Sequence, residues 1–126
     1  MNNNKSILIF GFTQEEGKEF EELLDENTLP TCRRIGKDMA NMVLGDIIKG
    51  LTFLTASEDI SDEKVILFNN LEDDELDRAI KIIRSRLTIN PIMAVVTPTS
   101  VNWTFRELLT HLIEEREWFK KQHNKR

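Results

Sequence analysis

The chain has 126 residues, 40% hydrophobic and 31% charged, a balance that suits one globular domain over residues 1–126 and excludes a disordered chain. A formal net charge of −5 counts against a general nucleic-acid binder, because such binding rests on neutralising phosphates with Lys and Arg. Cys32 is the only cysteine, which excludes an intramolecular disulfide and a CxxC redox pair. No apolar run approaches the ~20 residues needed to span a membrane. Met1 to Lys5 runs straight into an apolar strand without the features of a signal peptide. A cytoplasmic protein is the expectation.

Ser6-Ile7-Leu8-Ile9-Phe10, closed by Gly11, reads as a strand buried on both faces. Thr13-Gln14-Glu15-Glu16 is a capping box, in which Thr and Glu satisfy each other's backbone N–H groups at a helix start. The helix is expected to run to about Glu26, with Phe20, Leu23 and Leu24 inward and Gly17 weakening its first turn. Residues 29–36 are ambiguous, with an edge strand as one option because edges tolerate Pro and Arg. Asp38 is expected to cap a second helix carrying Met39, Met42, Val43 and Ile47 at helical spacing and ending at Gly50. In the connection that follows, the apolar start Leu51-Thr52-Phe53-Leu54 is expected to pack and the acidic end to face solvent.

Val65-Ile66-Leu67-Phe68 is a second buried strand, turned by Asn69-Asn70. Glu72, Asp73, Asp74 and Glu75 crowd a helix start, where anions oppose the positive dipole end. Leu76, Ala79, Ile80, Ile83 and Leu87 form the inward stripe, and Asn90-Pro91 breaks the helix before the strand Ile92–Val96. Residues 7–16 echo residues 65–74 as strand, turn and acidic helix start. The alignment needs one inserted residue, and shared strand–helix grammar accounts for it as well as duplication does.

Strands alternating with helices predict an α/β fold: a three-layer αβα sandwich around about four mostly parallel strands in the order 2-1-3-4. The small doubly wound class, flavodoxin-like or Rossmann-like, is the expected topology.

Residues 97–119 carry the sharpest pattern. Thr104-Phe105-Arg106-Glu107 is a second capping box, with Trp103 and Leu108 at the spacing of a hydrophobic staple. Phe105, Leu108, Leu109, Leu112, Ile113, Arg116 and Phe119 share one face of the helix. Glu107, His111, Glu114 and Trp118 share the other. A large aromatic on a solvated face is a contact candidate, so His111, Glu114 and Trp118 form a candidate interface with a protein partner or a second copy. The basic residues Lys120, Lys121, Lys125 and Arg126 read as a frayed, solvated helix end over 120–126.

The run Pro91-Ile-Met-Ala-Val-Val-Thr-Pro-Thr-Ser-Val-Asn-Trp-Thr-Phe-Arg-Glu-Leu-Leu resembles the signature of a small bacterial and archaeal family catalogued as a domain of unknown function, number 3783. The resemblance spans roughly residues 65–118, and the Gly11-Phe12 start with its acidic helix is similar too. Gly17 departs from it, standing where an apolar residue is usual. The resemblance implies a fold class and no activity, substrate or catalytic residue.

In open parallel sheets ligands bind beyond the carboxyl ends of strands. The candidate ligand-binding residues there are Gly11, Thr13, Asn69, Asn70, Thr97, Thr99, Ser100, Asn102 and Thr104, a polar rim able to hold an anion through hydroxyls and free N–H groups. Against a site, no phosphate-binding glycine motif is present, no Lys falls in the rim, and caps and turns account for every one of these residues. No carboxylate ends a core strand, so a receiver-like phosphorylation site is rejected. His111 with Glu107 or Glu115 at four-residue spacing supplies two ligands, short of a zinc site, and reads as surface pairing. Cys32 reads as a packing residue, no catalytic constellation can be assembled, and no metal or cofactor is expected. The expected function is a non-enzymatic interaction or regulatory module, with a binder or enzyme for a small anionic ligand as the alternative.

Overall fold

The computed structural model describes residues 5–51 and 60–123. The expected packing of Leu51–Leu54 therefore lies, beyond Leu51, outside the described residues, as do Lys125 and Arg126. The elements are β1 (Ser6–Phe10), α1 (Gln14–Glu26), β2 (Cys32–Ile35), α2 (Leu44–Ile48), β3 (Val65–Asn69), α3 (Asp73–Arg86), β4 (Ile92–Val95) and α4 (Phe105–His123). They fall into two compact units. One takes in Met1–Gly36 and Ser61–Thr97, the other Lys37–Ile60 and Pro98–Arg126.

The first unit is a four-stranded sheet in the order β2-β1-β3-β4. Residues 29–36 do supply an edge strand, β2, parallel to β1 with Ile7 opposite Cys32. β3 and β4 are also parallel, with Val65 opposite Ile92. The central pairing corrects the doubly wound expectation: β1 and β3 are antiparallel, Ser6 facing Asn69 and Phe10 facing Val65. The reason lies in the β2–β3 connection. β2 ends and β3 begins beside the same residue, Phe10, so the chain leaves and re-enters the sheet at one end. A parallel neighbour needs a crossover running the length of the sheet, which α1 and α3 provide elsewhere.

α1 and α3 pack on one face of the sheet, where Phe20, Leu24, Ala79 and Ile83 meet Ile7, Ile9, Ile66 and Phe68. The opposite face, Leu8, Phe10, Val65 and Leu67, is buried as well. That is why both central strands are unbroken apolar runs rather than alternating ones. Each of these Val, Leu, Ile and Phe side chains contributes ~1.5–3 kcal/mol by burial.

The unit has a repeated plan. Shifting β1–α1 by 59 positions lays it on β3–α3 without an insertion, so Lys5, Gly11, Thr13 and Glu16 correspond to Lys64, Asn70, Glu72 and Glu75. The echo seen from Ile7 and Val65 was one residue out of register. Gly11 and Asn70 are both left-handed, at φ 83° and 64°. Both helices start with a glutamate reaching back to the cap, Glu16 to the Thr13 N–H at 2.9 Å and Glu75 to the Glu72 N–H at 3.2 Å. The antiparallel register centred on Leu8 and Leu67 makes the relationship a local two-fold.

The second unit departs from the sequence reading at its first helix. Lys37–Met39 is a single 3-10 turn, and only Leu44–Ile48 is α-helical. Between them the backbone pairs with another segment. Leu44 N–H donates to Trp103 O at 2.8 Å, Phe105 N–H to Met42 O at 3.0 Å and Arg106 N–H to Ala40 O at 2.9 Å. Those groups are lost to a helical ladder. Val43 accordingly forms an isolated antiparallel bridge with Thr104 and is exposed, not core.

Candidate functional site

The antiparallel centre divides the polar rim. β1 ends at one end of the sheet, with Gly11 and Thr13, while β3 and β4 end at the other, with Asn69, Asn70 and Thr97. Thr99, Ser100, Asn102 and Thr104 belong to the second unit. Within the sheet unit the expected rim is thus two groups of residues at opposite ends rather than one row.

At the first of these, the sequence reading missed a cation. Lys64 Nζ stands 3.3 Å from Gly11 O and 2.7 Å from Glu16 Oε1. This lysine comes from the strand start that the antiparallel pairing brings beside Gly11. Its charge is taken up by Glu16, whose carboxyl it holds below the usual carboxylate range, helped by the Thr13 backbone N–H. Thr13 Oγ1 accepts from Glu16 N–H at 3.1 Å, so the hydroxyl is occupied by its cap.

In the second unit, Thr104 and Glu107 form the expected box. Thr104 N–H donates to Glu107 Oε1 at 2.9 Å, and Glu107 N–H to Thr104 Oγ1 at 3.1 Å. Asn102 Nδ2 donates to Pro98 O at 3.3 Å, and Ser100 is buried. Trp103 does more than start the helix. Its ring stacks on His111, with centroids 4.5 Å apart and planes 19° apart. No spacing rule for staples points to that partner, since His111 lies two turns into α4.

α4 is continuous through Lys120 and Lys121 to His123. Phe105, Leu108 and Leu109 are buried as expected, but the buried stripe stops short of Phe119, which is 57% exposed. Trp118 is 55% exposed, and the two rings meet edge to face at 5.2 Å. Arg116 and Lys120 reach Glu117 at 3.2 and 3.8 Å.

Two other places offer less chemistry. A groove of about 410 Å³ in the sheet unit is walled by Glu16, Glu19, Glu22 and Glu26 with Arg86, Leu87, Thr88 and Ile89. Four carboxylates against one guanidinium repel an anionic ligand. The Cys32 thiol is pushed up to about 11, first by burial and then by Glu21, and is a poor nucleophile there. Among the described residues, no three His, Cys, Asp or Glu side chains gather as a metal site. No described helix is long and apolar enough to cross a membrane.

These features define an α/β protein on a mixed four-stranded sheet, with an aromatic pair exposed on its last helix. Residues 64–119, from β3 into α4, match the family model described as Domain of unknown function (DUF3783). This is the family that the Thr97–Phe105 run resembles. Comparison with curated proteins and with solved structures found no match.

Proposed function

We propose that the protein is a non-enzymatic interaction module that presents the face of α4 around His111, Glu114 and Trp118 to a protein partner. The observation that carries the reading is the pair Trp118–Phe119, each ring more than half exposed. Single exposed apolar side chains are ordinary, but two adjacent aromatics on one helix end leave a larger apolar surface in water. Tryptophan is the residue type most enriched where interfaces carry their binding energy. A helix held at its start by a capping box and by backbone bonds to residues 40–44 is a rigid platform for such a surface. A cytoplasmic setting belongs to the same proposal and rests on the lone, half-buried thiol. The competing anionic-ligand reading is weakened because the rim is divided and its hydroxyls at Thr13 and Thr104 already serve as caps.

A photo-crosslinking residue placed at Glu114 tests the proposal in extracts of cells that make the protein, with one at exposed Lys81 as the comparison. Adducts to protein are expected from position 114 and not from position 81, and Trp118→Glu should abolish them. Equal yields at the two positions would remove the reading.

A further inference from the structure

We infer that the partner on this face of α4 is a second copy of the chain, with the two helices antiparallel across a two-fold axis at Trp118. The inference rests on the interaction reading above and names its occupant. At ~100° per residue, the face centred on Trp118 carries Glu114 and Glu115 one turn before it and Lys121 and Gln122 one turn after it. Glu114, Glu115 and Lys121 take part in no ion pair among the described residues, whereas Arg116 and Lys120 on neighbouring faces are turned to Glu117. The free charges therefore flank the exposed tryptophan, acid on its N-terminal side and base on its C-terminal side.

That polarity selects a geometry. In an antiparallel pair with Trp118 on the axis, Glu114 of each helix faces Lys121 of the other, twice by symmetry, because at ~100° per residue the two lie to the same side of Trp118. Glu115 faces Gln122, and the two Trp118 rings meet at the centre. A parallel pair would set Glu114 against Glu115, acid against acid, and leave Lys121 against Gln122. An isologous contact needs a surface complementary to itself, and this arrangement of charge around one aromatic has that property. The contact covers about two turns of helix and lies below the ~1,200 Å² of standard interfaces, so association is expected to depend on concentration.

Sedimentation velocity on the purified full chain, over the widest concentration range it tolerates, reads the association directly. The wild type is expected to shift from monomer to dimer with rising concentration, and Trp118→Glu to remain monomeric. Glu114→Lys and Lys121→Glu each place like charges together and should weaken the dimer by about tenfold or more. Mixing those two single variants should restore association. In the mixed dimer the two introduced charges face each other, and the remaining native Glu114 faces the remaining native Lys121. Circular dichroism of each variant confirms that the helix is retained. A wild type that stays monomeric overturns the second-copy inference, and so does a dimer indifferent to the charge exchanges. Crosslinks from position 114 to a different protein, with the purified chain monomeric, would leave the interaction reading standing and remove only the second copy. Absence of both signals removes both.

Discussion

Lys64 Nζ lies 2.7 Å from Glu16 Oε1, and the same contact recurs with its halves exchanged where Lys5 Nζ lies 2.9 Å from Glu75 Oε1. Each lysine directly precedes a central strand, and each glutamate sits in the first turn of the helix belonging to the other half. The two pairs are images of each other under the 59-residue shift. They tie the halves together across the β1–β3 seam, and each glutamate also accepts the N–H of its own helix cap.

Acid should expose this arrangement. Glu16 is held below its ordinary 4.5 first by Lys64, and Glu75 first by Lys5. A lowered carboxylate pKa contributes stability that is complete above the unfolded value and lost as pH falls through the folded one. Melting temperature is therefore expected to fall below pH 4.5, and the E16Q/E75Q double variant to fall less steeply there while starting lower at pH 7. Lys5, raised above 10.5 by Glu75, acts in the opposite sense: its contribution holds at lower pH and fades only above that value. Melting curves from pH 2.5 to 7, compared between the two proteins, provide the check (about the window in which carboxylates titrate). Parallel curves would show that the pairs contribute nothing to folding.

Gly11 and Asn70 occupy equivalent turns with positive φ, yet their neighbours differ. A side chain at Gly11 would run into the backbone carbonyl of Glu63, which is fixed by the strand start behind it. Asn70 already carries a side chain and is exposed. Left-handed backbone costs an ordinary L-residue ~1–2 kcal/mol, and Asn tolerates it better than Ala. Asn70→Ala should thus cost ~1 kcal/mol and Asn70→Gly little. Gly11→Ala should cost more than ~2 kcal/mol, since strain and collision add. Urea denaturation of the three variants measures the order, and equal losses at positions 11 and 70 would refute the collision.

How far the residues announced this fold depends on the range of each interaction. The capping boxes at Thr13 and Thr104 and the buried strands follow from local spacing and apolar content, whereas the order β2-β1-β3-β4 is expected only from the general α/β class. The sense of β3 follows from neither, because it depends on where the chain from Gly36 to Lys64 re-enters the sheet. That single reversal also decided the fate of the rim, by sending Gly11 and Asn69 to opposite ends and bringing Lys64 to Gly11. The expected helix from Asp38 failed for a related reason: residues 40–44 bond to residues 103–106, which no helical period encodes. Trp118 was legible because a helix face is local, while the exposure of Phe119 was not, since it depends on where the neighbouring structure stops.

Gly17 shows how a locally poor residue can be explained by a distant one, and it gives a measurable coupling. A methyl group there would come within 2.6 Å of the Arg34 guanidinium carbon. Arg34 lies over the first turns of α1, with Nη1 3.0 Å from Gln14 Oε1 and Nη2 3.3 Å from Glu21 Oε2. Replacing an interior helical Gly by Ala ordinarily gains ~1 kcal/mol. The displaced group is the tip of a flexible side chain, 37% exposed, and an exposed ion pair is worth only ~0.2–1 kcal/mol. Helix propensity should win narrowly, so Gly17→Ala is expected to stabilise by ~0.5 kcal/mol. In an Arg34→Ala background nothing is displaced, and the same substitution should gain the full ~1 kcal/mol. A double-mutant cycle by urea denaturation tests this, and an identical gain in both backgrounds would mean that Arg34 does not account for the glycine.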